Sequence, residues 1–281
     1  MNEKIIRVRG IELHVEMNGK ENLSTIVFLH GFTGSSTSWR EITKLLKGKY
    51  RTIAVDLTGH GKSSIPEDVD RYSMDQQVED LEELFAELSL DQFILVGYSM
   101  GGRIALAYTT RHSIRVSSLV LESSSPGLKT KDERAERQAA DSRLAERILR
   151  DGLPAFIDFW GNIPLFASQK TLSEEKQLIV RNERLSQSEI GLANSLRGIG
   201  TGSQASYWGI LGTVNLPVLL ITGELDMKFV NISREMQRDF PNVRHETIEH
   251  AGHAIHVEKP DTFATMIEEH ISELKNRGGS L

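Results

Sequence analysis

The chain has 281 residues, is 39% hydrophobic and carries a net charge of −6. That length and apolar share fit one substantial core with an insertion better than two equal domains, and the negative balance excludes a global basic footprint for nucleic acid, so an anionic ligand would need a local arginine cluster. The absence of cysteine excludes a thiolate nucleophile, a disulfide framework and a cysteine-ligated zinc site.

The first residues, Met1 to Arg9, carry charges where a signal peptide needs an apolar run. No apolar stretch approaches the ~20 residues of a membrane-spanning helix, so the expectation is a cytoplasmic protein without membrane insertion. Residues 5–9 and 13–17 predict a hairpin around Gly10, and the short apolar runs at 25–29 and 52–55 predict buried strands. Val78, Leu81, Leu84, Phe85 and Leu88 give 74–88 helical spacing; 93–96 reads as a strand, 101–110 as a helix and 118–122 as a strand. This alternation implies an α/β fold with a mainly parallel sheet covered on both faces. From 124 to 215 the pattern turns helical and highly charged, and strand signals resume at 217–222 and 243–248. A helix is expected at 261–274 and a frayed tail at 278–281. The division that follows is a core of 1–123 and 216–281 with a helical cap at 124–215, inserted before the strand that precedes Asp226.

Gly97-Tyr98-Ser99-Met100-Gly101 matches G-x-S-x-G. The pattern alone is weak, but here it follows a predicted strand and opens a predicted helix, the context of a nucleophile elbow. The bland alternative is a serine cap on an ordinary helix. Asp226 follows the strand at 217–222 and His253 follows the strand at 243–248, so the order is serine, acid, histidine. In such a triad histidine takes the serine proton and aspartate orients the imidazole. Glu224 and His250 are the alternatives for acid and base; His14, His112 and His256 read as surface or packing residues. His30-Gly31-Phe32 follows the third strand, which places the oxyanion donors on the backbone N–H groups of Phe32 and Met100. The loop 56–63, Asp-Leu-Thr-Gly-His-Gly-Lys-Ser, reads as structural.

Elbow, His-Gly motif and triad order resemble the α/β-hydrolase superfamily over nearly the whole chain, with Thr58 standing where many relatives carry proline. Gly97 to Arg103, Ser125-Pro126-Gly127-Leu128, Arg134-Ala135-Glu136-Arg137-Gln138 and Pro164-Leu165-Phe166-Ala167-Ser168 resemble the menaquinone-pathway 2-succinyl-6-hydroxy-2,4-cyclohexadiene-1-carboxylate (SHCHC) synthases. The resemblance implies a lyase that expels pyruvate from a small substrate bearing three carboxylates. By resemblance Arg103, Arg137 and Arg181 match the carboxylate-binding arginines, with Tyr98 and Trp160 lining the site. By charge alone 129–150 is a solvated amphipathic helix, and Arg103, one turn after Ser99, could instead hold an internal salt bridge. The implied reaction needs no cofactor and no metal. The rivals are a carboxylesterase or C–C hydrolase working through an acyl-serine and a non-catalytic ligand-binding protein of the same fold. The sequence names no oligomeric partner.

Overall fold

All five residues of the strand Thr25–Leu29 are buried, and a strand buried on both faces belongs inside a covered sheet. In the computed structural model, which describes residues 2–276, eight strands build that sheet. They are β1 (Asn2–Val8), β2 (Ile11–Asn18), β3 (Thr25–Leu29), β4 (Arg51–Val55), β5 (Phe93–Tyr98), β6 (Val116–Glu122), β7 (Val218–Gly223) and β8 (Val243–Ile248). Their spatial order is β1-β2-β4-β3-β5-β6-β7-β8. β1, β2 and β4 pair antiparallel, and every pairing from β4 through β8 is parallel. The opening hairpin turns at Arg9 and Gly10, both at positive φ, the backbone that suits a tight two-residue hairpin. β1 begins three residues before the expected strand: its exposed polar start is held by edge pairing with β2 and gives no apolar signal.

Alternation along the strands decides which helices go where. Val27 and Leu29 share one cluster with side chains of α2 (Met74–Glu87), α3 (Met100–Arg111) and α8 (Met227–Asp239). Ile26 and Phe28 face the other way, onto α1 (Arg40–Leu45) and the C-terminal α10 (Pro260–Asn276). The short α9 (Ile255–Glu258) precedes α10. The tail expected at 278–281 lies outside the described residues.

Between β6 and β7 the chain forms α4 (Lys131–Asp151), α5 (Leu153–Trp160), a 3-10 stretch Pro164–Thr171, α6 (Glu174–Leu185) and α7 (Glu189–Ile199). α4 starts in a reciprocal cap between Thr130 and Glu133. Ala145, Ile148, Phe156, Ile157, Leu192 and Leu196 form a small core of their own. This helical segment is fastened to loops at the carboxyl ends of the strands. Asn194 donates to the carbonyls of Pro66 and Glu67 at 3.2 Å each, and Glu183 accepts four hydrogen bonds from Ser35, Thr37 and Ser38. Among the described residues no helix is long and apolar enough to cross a membrane.

Candidate active site

β5 delivers the chain to Ser99, whose φ of 50° and ψ of −105° lie where a side chain is strained. Two glycines permit the turn. A Cβ on Gly97 would stand 2.5 Å from Gly102 Cα, and one on Gly101 would stand 2.2 Å from the Leu29 carbonyl oxygen. The Ser99 amide donates to the Glu122 carbonyl at 2.9 Å, and Ser124 Oγ donates to the Ser99 carbonyl at 3.0 Å. These bonds tie the strained residue to β6 and the loop after it.

His253 Nε2 lies 3.1 Å from Ser99 Oγ, and His253 Nδ1 lies 2.6 Å from Asp226 Oδ2. With Nδ1–H donated to the carboxylate, the Nε2 lone pair is left to accept the serine proton. Asp226 is the residue just before α8, where its carboxylate is left free of any capping bond, and His253 sits in the loop between β8 and α9. The two loops are knitted by Leu225 N–H on the Ala251 carbonyl, 2.9 Å, and the second is braced by Gly252 N–H on Glu258 Oε2, 2.7 Å. The alternatives do not reach the serine: Glu224 and His250 are exposed and face each other at 3.8 Å.

Of the three histidines read as surface or packing residues, His14 and His256 are buried. His256 is buried, bonded to the Glu122 carboxylate and stacked on Trp39 with centroids 4.4 Å apart. His14 is buried and donates to Asp56 at 2.8 Å. His112 stacks on Tyr108. Burial raises Asp56, but the His14 hydrogen bond, the nearby His30 and the Lys62 and Ser36 amides together hold its pKa at about 2.

His30 pins the loop that carries Phe32. Its Nδ1–H donates to the Gly31 carbonyl at 2.8 Å and its Nε2 accepts from the Leu57 amide at 3.0 Å, while burial lowers its pKa. His60 packs on both His30 and Phe32; burial, with His30 adding to it, pushes its pKa down to about 3. Phe32 and Met100 line the same cavity as Ser99. Met100 is the first residue of α3, where amides have no acceptor within the helix. The Phe32 amide makes no backbone bond among the described residues.

The cavity has a volume of about 430 Å³ and lies between the triad and the helical segment. Ser99 and His253 open onto it, Trp160, Trp208 and Phe229 supply aromatic walls, and Arg103, Arg137, Lys129 and Lys228 bring cationic groups. Glu133 and Glu235 also border it. Such a pocket suits a small molecule with an apolar body and acidic ends.

Residues 24–260 match the family described as "alpha/beta hydrolase fold". The chain is 46% identical over 265 residues to a Bacillus subtilis protein named "Putative 2-succinyl-6-hydroxy-2,4-cyclohexadiene-1-carboxylate synthase", covering 94% of this chain and 96% of that one. It is 31% identical over 249 residues to the 2-succinyl-6-hydroxy-2,4-cyclohexadiene-1-carboxylate synthase of Escherichia coli, covering 88% and 94%. The solved structure of MenH from S. aureus superposes with a TM-score of 0.89 at 35% identity, covering 93% of this chain and 98% of that one. The chain belongs to the α/β-hydrolase family and to its SHCHC synthase branch.

In this branch member the predicted cations have different fates. Arg103 is buried, borders the cavity, and among the described residues pairs with no carboxylate; it donates to Gln204 Oε1. The internal salt bridge considered for it does not form. Burial, with the nearby Arg137 adding to it and the Asp141 carboxylate, beyond pairing distance, opposing it, pushes its pKa down to about 10. Arg137 borders the cavity while its Nε donates to Asp141 at 2.8 Å. Trp160 lines the cavity as well. Tyr98 does not: its ring lies behind the triad, 5.3 Å from the His253 ring and 4.7 Å from that of His256.

Arg181 is not brought to the triad. It is exposed, pairs with Asp158 at 2.8 Å and faces a separate groove. The buried arginine of α6 is Arg184, only 9% exposed, with its guanidinium 4.5 Å from the Phe166 ring centre and donating to Gln169 at 3.0 Å. Phe166 in turn contacts the His253 ring at 6.1 Å. Helical phase explains the correction. Glu183 bonds the 35–38 segment, so Val180, Glu183 and Arg184 share the inner face and Arg181 points off it. The four-residue step from Val180 to Arg184 was the available signal. Lys129 and Lys228 carry none, because only folding brings them to this cavity, and Gln204 carries none, because only folding brings it against Arg103.

Proposed function

We propose that this chain is an SHCHC synthase, a lyase that eliminates pyruvate from 2-succinyl-5-enolpyruvyl-6-hydroxy-3-cyclohexene-1-carboxylate in menaquinone biosynthesis. The observation that carries the reading is Arg103: a buried guanidinium without a carboxylate partner, opening onto the cavity that holds the Ser99–His253–Asp226 relay. An enzyme for neutral esters gains nothing from such a charge, which is costly to bury unpaired. A substrate with carboxylates on its succinyl arm, ring and enolpyruvyl group supplies the missing counter-ion.

In this mechanism Ser99 Oγ, polarised by His253, removes the ring proton alpha to the succinyl ketone, and the proton passes to His253. Asp226 stabilises the resulting imidazolium through the 2.6 Å bond. Negative charge develops on the ketone oxygen, toward which the Phe32 and Met100 amides are assigned as donors. The electron pair then moves through the ring alkene, and the carbon–oxygen bond to the enolpyruvyl group breaks. The leaving enolate takes a proton to become pyruvate. Arg103 and Arg137 hold carboxylates during this sequence. Residues 124–215 act as the cap that supplies Arg137 and Trp160 and limits water.

Turnover of the enolpyruvyl substrate, generated in situ and followed by diene absorbance and pyruvate release, tests the proposal. Matched formation of both products at a rate far above any neutral ester is expected. Rapid ester hydrolysis without pyruvate release would place the chain among esterases instead.

A further inference from the structure

The two arginines that border the cavity have different partners. Arg137 pairs through its Nε alone with Asp141, a buried carboxylate one helical turn away and packed against Gly200, which leaves the rest of its guanidinium for a ligand. Arg103 is more deeply buried, yet its partner is the uncharged amide of Gln204, itself 2% exposed. The position of Gln204 is built with care. It sits in the loop after α7, where its backbone N–H and that of Ser203 both bond the Gly200 carbonyl, at 3.3 and 2.9 Å. Tyr207 N–H bonds the Pro126 carbonyl at 2.8 Å, which fastens this loop to the 125–128 segment. Gly127 makes room for the amide: at φ +91°, a Cβ there would lie 2.5 Å from Gln204 Nε2. That Nε2 has no hydrogen-bond partner among the described residues, so only the oxygen end of the side chain is used. Glutamate has the same shape, would accept the same bond and would pair the buried cation. Space therefore does not select the amide, and internal stability alone favours the acid.

We propose that Gln204 is a specificity-determining positioning residue, which holds the Arg103 guanidinium beside Ser99 while leaving its charge unneutralised for a substrate carboxylate. The proposal rests on the lyase reading above. Inside a low-dielectric cavity an unpaired cation attracts a carboxylate far more strongly than in water. An internal glutamate would occupy the guanidinium and repel the incoming anion. Gln204 thus sets which charge the cavity accepts without touching the reacting atoms.

The test compares the wild-type full chain with Gln204→Glu, Gln204→Met and Arg103→Met, using the enolpyruvyl substrate and succinate as a competing dicarboxylate. Gln204→Glu should raise KM roughly 10- to 100-fold, the worth of a charge-assisted hydrogen bond, with a smaller change in kcat. Its melting temperature should stay level or rise, and succinate should lose inhibitory potency in parallel with KM. Gln204→Met keeps the free charge, so its KM should rise much less than that of Arg103→Met, though its melting temperature falls. A residue that merely anchors Arg103 would show the reverse order, because glutamate anchors arginine at least as well as glutamine. Wild-type KM in Gln204→Glu, unchanged succinate potency, or a Gln204→Met defect equal to that of Arg103→Met would overturn the proposal. Absence of pyruvate release by the wild type would instead overturn the lyase reading.

Discussion

Replacing Arg103 by methionine should make the protein worse at its reaction and no less stable. At pH 7 the guanidinium is charged in both the folded and the unfolded chain, but burial moves its pKa from 12.5 to about 10. A tenfold change in proton affinity is worth about 1.4 kcal/mol, so holding this charge in the fold costs about 3 kcal/mol. Methionine fills much of the arginine stem's volume and leaves Gln204 Oε1 without its donor, a loss of about 1–3 kcal/mol. The balance lies between neutral and about 2 kcal/mol of added stability, equivalent to a few degrees in melting temperature. Binding moves the other way: losing a hydrogen bond to a charged group costs about 1.5–3 kcal/mol, roughly a 10- to 100-fold fall in kcat/KM for the enolpyruvyl substrate. Nitrophenyl acetate offers the arginine nothing to hold, so its hydrolysis should change less than about twofold. Urea denaturation and paired kinetics on the two substrates measure all three quantities. A variant that is clearly less stable and equally impaired on both substrates would show that Arg103 supports the fold, and the anion-site argument would fail.

Ser99→Ala, Asp226→Asn and His253→Ala should each lose several orders of magnitude in kcat while melting near the wild type, and a double variant should be little worse than the worst single one; near-normal turnover by Ser99→Ala would dismantle the triad assignment. Arg181→Ala removes an exposed pair worth under about 1 kcal/mol and should change kcat/KM less than about threefold. Arg184→Ala strips the support of Phe166 beside His253 and should cost at least about tenfold; the opposite ranking would contradict the assignment of the inner face of α6. Acid should destabilise the fold in two stages. His60 falls from 6.5 to about 3, so between those values the unfolded chain binds a proton that the folded chain refuses, and stability drops as pH falls through that window. Asp56, held at about 2 against an ordinary 3.8, adds a further loss below pH 3.8. His14, raised by its bond to Asp56, works in the opposite direction near neutrality, so the contribution of His60 is isolated by comparing wild type with His60→Asn. The variant should show a flatter dependence of its urea midpoint between pH 4 and 6.5, and an unchanged slope would refute the assignment.

Most of the core elements are legible in the chain because their signals are local. Phe93 to Val96 and Val218 to Ile221 are unbroken apolar runs, and strands buried on both faces require that. The elbow is equally local: Ser99 is flanked by glycines because neighbouring backbone leaves no space for a Cβ. Asp226 and His253 are legible as candidates from their places just after strands, since the carboxyl edge of a parallel sheet collects whatever those loops carry. The start of β1 is not legible, because pairing at a polar edge has no hydrophobic signature.

By itself the sequence determined the strand–helix alternation, the strained turn at Ser99 and the order of the triad, each of which depends on residues within a few positions of one another. Only the tertiary structure decided which cations meet the serine. Arg181 and Arg184 are three residues apart with the same charge, and docking of α6 through Glu183 turns one into the protein and leaves the other in solvent. Gln204 lies 101 positions from Arg103, so nothing local links them. The helix that bears Arg103 and the loop that bears Gln204 are set by different contacts, and the pairing exists only once both have packed.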